Sequence, residues 1–459
     1  MFVAVSWEKE YNYTIFNIFF LPINKKGNEM AGYTKEEALE YVRENDVKFI
    51  RLAFCDIYGT HKNVSIMPDE LEKAFDVGVG FDSFKIDGFD DPLYRGLMLI
   101  PDPSTLNTLP WRPQQGGVIR FYCDVVTNDG KPFPYDARKY LRDTLNECKE
   151  NGFSVRVAIR REFYLFKTDE SGNPTDIPWD NGGYYDIAPA DRGENIRREI
   201  CLCLEEMGLH PVISYHESGP GQNEIDFKGD DALRSAEQFF TYKNVVTSVS
   251  ARNGIYASFS PKPIKGKSGN GLHLQIRLYQ AGVDMEDIDP EITRNFMAGL
   301  LNRMRDITVF LNTTSESYLR FGENEAPRFI SWTKNNFPSL IKVPIVGGRK
   351  DGFVLRSPDS EINPYLAYAM LIQAGLEGIK KKEELAEPQD VDAVRKNVTE
   401  KNTSGSNAID KEGYIGLKQL PMTIEEAVQC AKNSEFLRNE KRAFMTERFV
   451  EKIEQREKF

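Results

Sequence analysis

The chain has 459 residues, 40% hydrophobic and 28% charged, with 59 Lys plus Arg against 70 Asp plus Glu and a net charge of −11. That suits two or three domains of ordinary globular composition, and an acidic chain with no basic run is not expected to bind nucleic acid or an anionic membrane. No apolar stretch reaches the ~18 residues of a membrane span, the six cysteines form neither a disulfide framework nor a zinc spacing, and only four histidines are present, so any bound metal must rest mainly on carboxylates.

Residues 1–33 read as an atypical N-terminal extension. Its apolar run, Ile15 to Ile23, is short and follows Glu8 and Glu10, with no positive segment before it and no small-residue cleavage site after it. A cytoplasmic location is therefore expected. Met30 is a candidate start, because Thr34-Lys35-Glu36-Glu37 opens a helix with a capping box. From Lys48 to Val125 the pattern predicts strands at Ile50 to Phe54, Val64 to Ile66 and Val118 to Cys123, with a helix at Pro68 to Phe75. A proline-punctuated loop runs from Leu99 to Trp111. Helices then alternate with strands: helix Ala137 to Gly152, strand Val155 to Phe166, helix Asn195 to Met207, strand Val212 to Glu217. The order predicts an α+β fold, with long helices on one side of a mainly antiparallel sheet. Gly266-Lys267-Ser268 looks like the end of a phosphate-binding loop, but Pro261 stands where that loop needs glycine.

Several strands carry a loaded face, since residues two apart point the same way. Leu272, Leu274, Ile276 and Leu278 oppose His273, Gln275, Arg277 and Tyr279. Val155, Val157, Ile159, Phe163 and Leu165 oppose Arg156, Arg160, Glu162 and Tyr164, with Arg161 breaking the apolar side. Ile213, Tyr215 and Glu217 share a face, as do Glu224 with Asp226 and Val354 with Arg356. Such polar faces either meet solvent or line a cleft. In a cleft, three carboxylates converging with a histidine suit Mg²⁺ or Mn²⁺.

At these residues the chain resembles the glutamine synthetase family, bacterial type I class. The motifs run in the family order from Phe54-Cys55-Asp56-Ile57-Tyr58-Gly59 through Glu162-Phe163-Tyr164-Leu165-Phe166, Gly182-Gly183-Tyr184 and His216-Glu217. Pro220-Gly221-Gln222-Asn223-Glu224, Gly269-Asn270-Gly271-Leu272-His273, Glu325-Ala326-Pro327 and Asn363-Pro364-Tyr365-Leu366 continue it. The resemblance implies a β-grasp domain over 34–130 and a catalytic domain with a curved antiparallel sheet over 131–459. It also implies a homo-oligomer of stacked rings, a decamer or dodecamer, with each site built between neighbours. The family reaction joins ammonia to the γ-carboxylate of glutamate through an ATP-phosphorylated intermediate, with two divalent ions.

Residue by residue, the resemblance gives Glu162, Glu217 and Glu224 as ligands of the first ion. Asp56 becomes the group that binds and deprotonates ammonium, with Tyr184 beside it. Arg320 and Arg356 hold the amino-acid carboxylates, Gly269 makes a backbone contact, and Glu325 guards the site. The nucleotide end departs from the family: its second-ion carboxylates are Arg160 and Val354, leaving only His273, and its phosphate and nucleotide contacts are Phe337, Lys342, Gln275 and Arg277. The expectation is a divergent member that binds glutamate, or a γ-glutamyl or related amino acid, with one Mg²⁺ or Mn²⁺. Its ATP-dependent ligation is expected to be weak or lost, and the kept half suits hydrolysis or transfer of a γ-glutamyl amide without ATP. An active glutamate–ammonia or glutamate–amine ligase and a non-catalytic sensor or structural protein are the alternatives.

Overall fold

Thr34 caps the first helix as its sequence dictates. Its hydroxyl accepts from Glu37 N at 3.2 Å, and the Glu37 carboxylate accepts from Thr34 N at 2.7 Å. The computed structural model describes residues 32–111, 116–334, 339–388 and 417–459. Residues 1–31 of the N-terminal extension, and Phe337, lie outside the described residues.

Helix α1 (Lys35–Glu44) leads into the antiparallel hairpin β1 (Val47–Cys55) and β2 (His61–Ile66). The turn between them places Gly59 at φ +86°, and a Cβ there would meet the Asn363 backbone at 2.6 Å, so only glycine fits. The expected helix at Pro68 to Phe75 is a 3₁₀ turn (Pro68–Glu70) followed by α2 (Leu71–Val77). Pro68 suits a first turn because it has no N–H to satisfy. Then come β3 (Val79–Phe81), β4 (Leu97–Pro101), β5 (Asn107–Thr108) and β6 (Gly117–Thr127). The sheet order is β2-β1-β6-β4-β3, with β5 beside β6 and with β1 and β6 parallel. Alternate residues Ile50, Leu52 and Phe54 of β1 and Phe121, Cys123 and Val125 of β6 are buried against Ala38 and Val42 of α1. This is the β-grasp arrangement.

The remainder runs α3 (Ala137–Glu150), β7 (Ser154–Thr168), β8 (Pro174–Pro178), α4 (Glu194–Glu206), β9 (Pro211–His216), β10 (Gln222–Phe227), β11 (Asp230–Asp231), α5 (Ala232–Arg252), β12 (Ile255–Ser258) and β13 (Leu272–Gln280). It continues with β14 (Val283–Asp284), α6 (Met285–Ile288), α7 (Pro290–Leu311), α8 (Ser315–Tyr318), β15 (Trp332–Thr333), β16 (Ile341–Lys342), β17 (Ile345–Val346), β18 (Arg349–Lys350), β19 (Phe353–Leu355) and α9 (Pro364–Lys381). Helices Ile424–Asn433 and Glu440–Glu457 close the chain. The main sheet has the order β15-β16-β19-β13-β7-β10-β9, antiparallel except for β15 with β16. Each edge of the long β7 passes from one partner to another: β13 then β12 on one side, β11, β10 then β8 on the other. That exchange of partners accommodates a curved sheet.

The apolar face of the sheet meets the helices. Leu272, Leu274, Ile276 and Leu278 of β13 and Val155, Val157 and Ile159 of β7 are buried with residues of α3, α5, α7 and α9. Arg161, the exception on that face, is fully buried too. Its guanidinium lies 3.7 Å from the Phe239 ring centroid and 4.4 Å from that of Phe259, and it donates to Ser360 Oγ and Phe239 O, each at 2.8 Å. The two sheets are joined by Arg138 of α3. Buried, it donates to Asp102 and Asp124 of the β-grasp and to Glu237 of α5.

Candidate metal and substrate site

Strand register assembles the site on the face opposite the helices. Glu162 of β7 faces Glu224 of β10, which faces Tyr215 of β9. In the next row His273 of β13 faces Arg160, Arg160 faces Asp226, and Asp226 faces Ile213. In the third row Lys342 faces Val354, Val354 faces Gln275, and Gln275 faces Ala158. The polar faces read from alternation thus line one surface.

The first row and His273 suit one cation. Glu162, Glu224 and His273 each offer a ligand atom, all within 4.8 Å of one another. A Cβ at Gly271 would sit 3.2 Å from His273 Nε2 and 3.3 Å from Glu162 Oε1, so the absence of one leaves room between those atoms. Glu162 Oε2 accepts from Gln222 Nε2 and Gly271 N, both at 2.9 Å, and Tyr215 donates to Glu224 Oε1 at 2.6 Å. These bonds aim the carboxylates from behind, as a ligand set requires. Burial and then the neighbouring Glu217 and Glu224 push Glu162 well above its ordinary pKa, and burial with Glu224 pushes Glu217 up to about 7. Crowded buried carboxylates of this kind are what a divalent ion relieves, and the oxygen-rich set with one imidazole suits Mg²⁺ or Mn²⁺. Glu217 follows β9, with Oε2 accepting from Ser218 N at 2.8 Å.

The residues expected to bind the amino acid are mostly fixed by neighbours. Arg320 is buried, pairing with Asp359 at 3.2 Å and donating to Pro358 O. Arg356 is buried 3.8 Å from the exposed carboxylate of Glu325. Gln222 Nε2 also donates to Gly269 O at 3.1 Å, and a Cβ at Gly269 would meet Pro261 O at 2.4 Å. Tyr184 is exposed, its ring edge-on to Tyr215 at 5.8 Å. Among the described residues, Asp56 makes no hydrogen bond or ion pair with this group. Its carboxylate accepts from Tyr58 N (3.0 Å) and Thr60 N (2.8 Å) and pairs with Lys62 at 3.3 Å, all within its own hairpin region.

At the two positions where the resemblance expects second-ion carboxylates stand Arg160, in the second row, and Val354, in the third. Arg160 Nε donates to Asp226 Oδ2 at 3.0 Å, and its Nη2 lies 3.4 Å from Glu224 Oε1. Val354 packs with Ala158 and Val346, and Ile213 rests against that cluster. Neither offers a ligand atom, and His273 is already shared with the first group. Gln275 donates to Asp351 O (2.6 Å) and Asp351 Oδ2 (2.9 Å), and Arg277 pairs with Asp351 and with Asp284. Burial, then Arg356 and Arg160, lower Lys342 to about 8. The partners Asp226 and Asp351 were not foreseen as site residues. Asp226 carried a signal, its shared face with Glu224, but Asp351 sits in a loop without periodicity.

Residues 46–128 match the family model described as glutamine synthetase, beta-grasp domain, and residues 134–457 match glutamine synthetase, catalytic domain. The chain belongs to the glutamine synthetase family. It is 43% identical over 413 residues to a protein named glutamine synthetase from Clostridium saccharobutylicum, covering 88% of this chain and 91% of that one. One of the same name from Methanosarcina mazei is 40% identical over 412 residues, covering 88% and 90%. A solved GmaS/ADP complex is similar with a TM-score of 0.79 at 26% identity, over 92% of this chain and 95% of that one. A cryo-EM structure of Plasmodium falciparum glutamine synthetase shares the fold, with a TM-score of 0.79 at 20% identity over 93% and 96%. Family membership places the chain among ligases. Among the described residues no helix is long and apolar enough to cross a membrane.

Proposed function

We propose that this glutamine synthetase family member binds glutamate, or a γ-glutamyl or related amino acid, beside one divalent ion, and that its ATP-dependent ligation is weak or lost. The observation that carries this reading is the buried contact of Arg160 with Asp226 and Glu224. Phosphoryl transfer depends on positioning and on neutralising phosphate charge. A fixed guanidinium at this position repels a second divalent ion, and Val354 supplies no ligand to attract one. Gln275 and Arg277, which the resemblance assigns to nucleotide contacts, are engaged by Asp351.

Glu162, Glu217, Glu224 and His273 are the residues that would hold the single ion, which when bound supplies Lewis-acid charge to a carboxylate or carbonyl oxygen. Arg320 and Arg356 orient the amino-acid carboxylates, and Glu325 screens the entrance. Asp56 serves as the base, contributed by a neighbouring subunit in an assembly of stacked rings. We place the boundary between the two domains near residue 130. A kept amino-acid end without a working nucleotide end suits hydrolysis or transfer at a γ-glutamyl amide.

The second reading is an active ATP-dependent glutamate–ammonia or glutamate–amine ligase. It is favoured by the 43% identity to a protein named glutamine synthetase. Titration calorimetry with ATP and Mg²⁺ at millimolar concentration separates the two: the first reading expects no nucleotide binding, the second a saturable isotherm.

A further inference from the structure

We propose that Asp180 and His216 form a buried positioning pair that fixes the backbone of Glu217 and the loop bearing Tyr184 for ion binding. The inference deepens the function proposed above and rests on it. His216, the last residue of β9, is fully buried. Its Nε2 lies 2.8 Å from Asp180 Oδ1, and its Nδ1 lies 2.6 Å from the backbone oxygen of Glu217. The ring is therefore held on both nitrogens, between a carboxylate oxygen and a backbone carbonyl that are themselves fixed.

Asp180 is equally constrained. Its Oδ1 also accepts from Gly182 N (3.2 Å) and Gly221 N (2.9 Å), and its Oδ2 from Arg192 N (2.9 Å). One carboxylate therefore reaches the segment before Tyr184, the segment before α4, and the turn between Glu217 and β10. Tyr185 N donates to His216 O at 3.0 Å, which closes the loop back on the ring's own backbone. Gly182 lies so near that a Cβ would stand 2.8 Å from His216 Nε2. Any shift of the ring is thus passed to the Glu217 carbonyl it grips, and so to a carboxylate of the ion site.

Asp180, Asp191 and His216 also have ligand atoms within 4.8 Å of one another, but they are poor candidates for a second metal. The Asp180 oxygens are taken up by the four donors just named. Asp191 accepts from Gly193 N and from both terminal nitrogens of Arg197. The donors are internal and the set is satisfied, which is the mark of a support for neighbouring ligands.

The test measures Mn²⁺ binding to the full chain by electron paramagnetic resonance, with thermal melting in parallel. Asp180→Asn and His216→Gln are expected to weaken Mn²⁺ binding about 10–100-fold, the usual effect of removing an outer support. Asp191→Asn disturbs the adjacent Arg197 pair; it is expected to lower Tm and leave Mn²⁺ affinity unchanged. Should His216→Gln fail to fold, Gly182→Ala crowds the ring without removing a donor or acceptor and is expected to show the same loss. Unchanged affinity in the Asp180 and His216 variants overturns the proposal, as does a loss that follows Tm equally in Asp191→Asn. An unmodified chain that binds no Mn²⁺ overturns the reading of the whole site and this inference with it.

Discussion

Arg160 and Asp226 face each other across β7 and β10, with Arg160 Nε 3.0 Å from Asp226 Oδ2. The same guanidinium reaches Glu224, two residues along β10. One side chain thus pairs with two buried carboxylates, and one of them, Glu224, belongs to the group that suits a divalent ion. The cation occupies the place where the family resemblance puts a metal-binding carboxylate.

Removing it is costly. Arg160→Met leaves Asp226 and Glu224 buried without their cation, which destabilises by about 3–5 kcal/mol. Urea melts with and without Mn²⁺ check this. The ion is expected to recover part of the loss, because it binds the folded chain and shares Glu224. A variant as stable as the parent contradicts the role given to Arg160.

Rebuilding the lost ligands is a second check. Val354→Glu alone inserts a carboxylate among Ala158, Val346 and Ile213 and is expected to destabilise. Combined with Arg160→Glu, it is expected to raise the Mn²⁺ count in a calorimetric titration from one per chain to two. A count of one in the double variant argues that more than these two residues separates the chain from a two-ion site.

Much of this surface was legible from period-two alternation. The faces of β13 and β7, and the pairing of Glu224 with Asp226 on one side, follow from residue spacing alone. The order of the strands does not, and only register shows that His273, Arg160 and Asp226 fall in one row. Arg161 broke the pattern because its charge rests on aromatic faces and on neutral oxygen acceptors, a solution that depends on distant Phe239, Phe259 and Ser360. Asp351, the partner that Gln275 and Arg277 share, comes from the short segment between β18 and β19, which has no alternating face to read, and the second partner of Arg277, Asp284, comes from β14.

Arg138 gives a prediction about stability and pH. Burial alone would raise Asp102 and Asp124, yet Arg138 holds Asp102, and Arg142 together with Arg138 holds Asp124, below the ordinary carboxylate value. Their stabilisation is complete above the unfolded value near ~4 and is lost as pH falls through the lowered folded values. Glu237, raised mainly by burial, has the opposite sign and narrows the effect. Arg138→Met is expected to destabilise by about 3–5 kcal/mol at neutral pH and to flatten the acid limb of a stability–pH curve. An unchanged acid limb contradicts this account.

Assembly is testable by mass. Asp56 makes its side-chain contacts with Tyr58, Thr60 and Lys62, and its proposed service as a base calls for the site of a neighbouring subunit. Light scattering at micromolar concentration and low salt is expected to give a decamer or dodecamer. A monomeric or dimeric mass removes Asp56 from the proposed chemistry.

Phosphate release from ATP by the unmodified chain, with Mg²⁺, glutamate and ammonium all at millimolar concentration, tests the central claim most directly. The account predicts no release above that of protein without amino acid, because Arg160 and Val354 leave the nucleotide end without its ion. Saturable release that depends on glutamate or another amino acid contradicts it and establishes the chain as a working ligase.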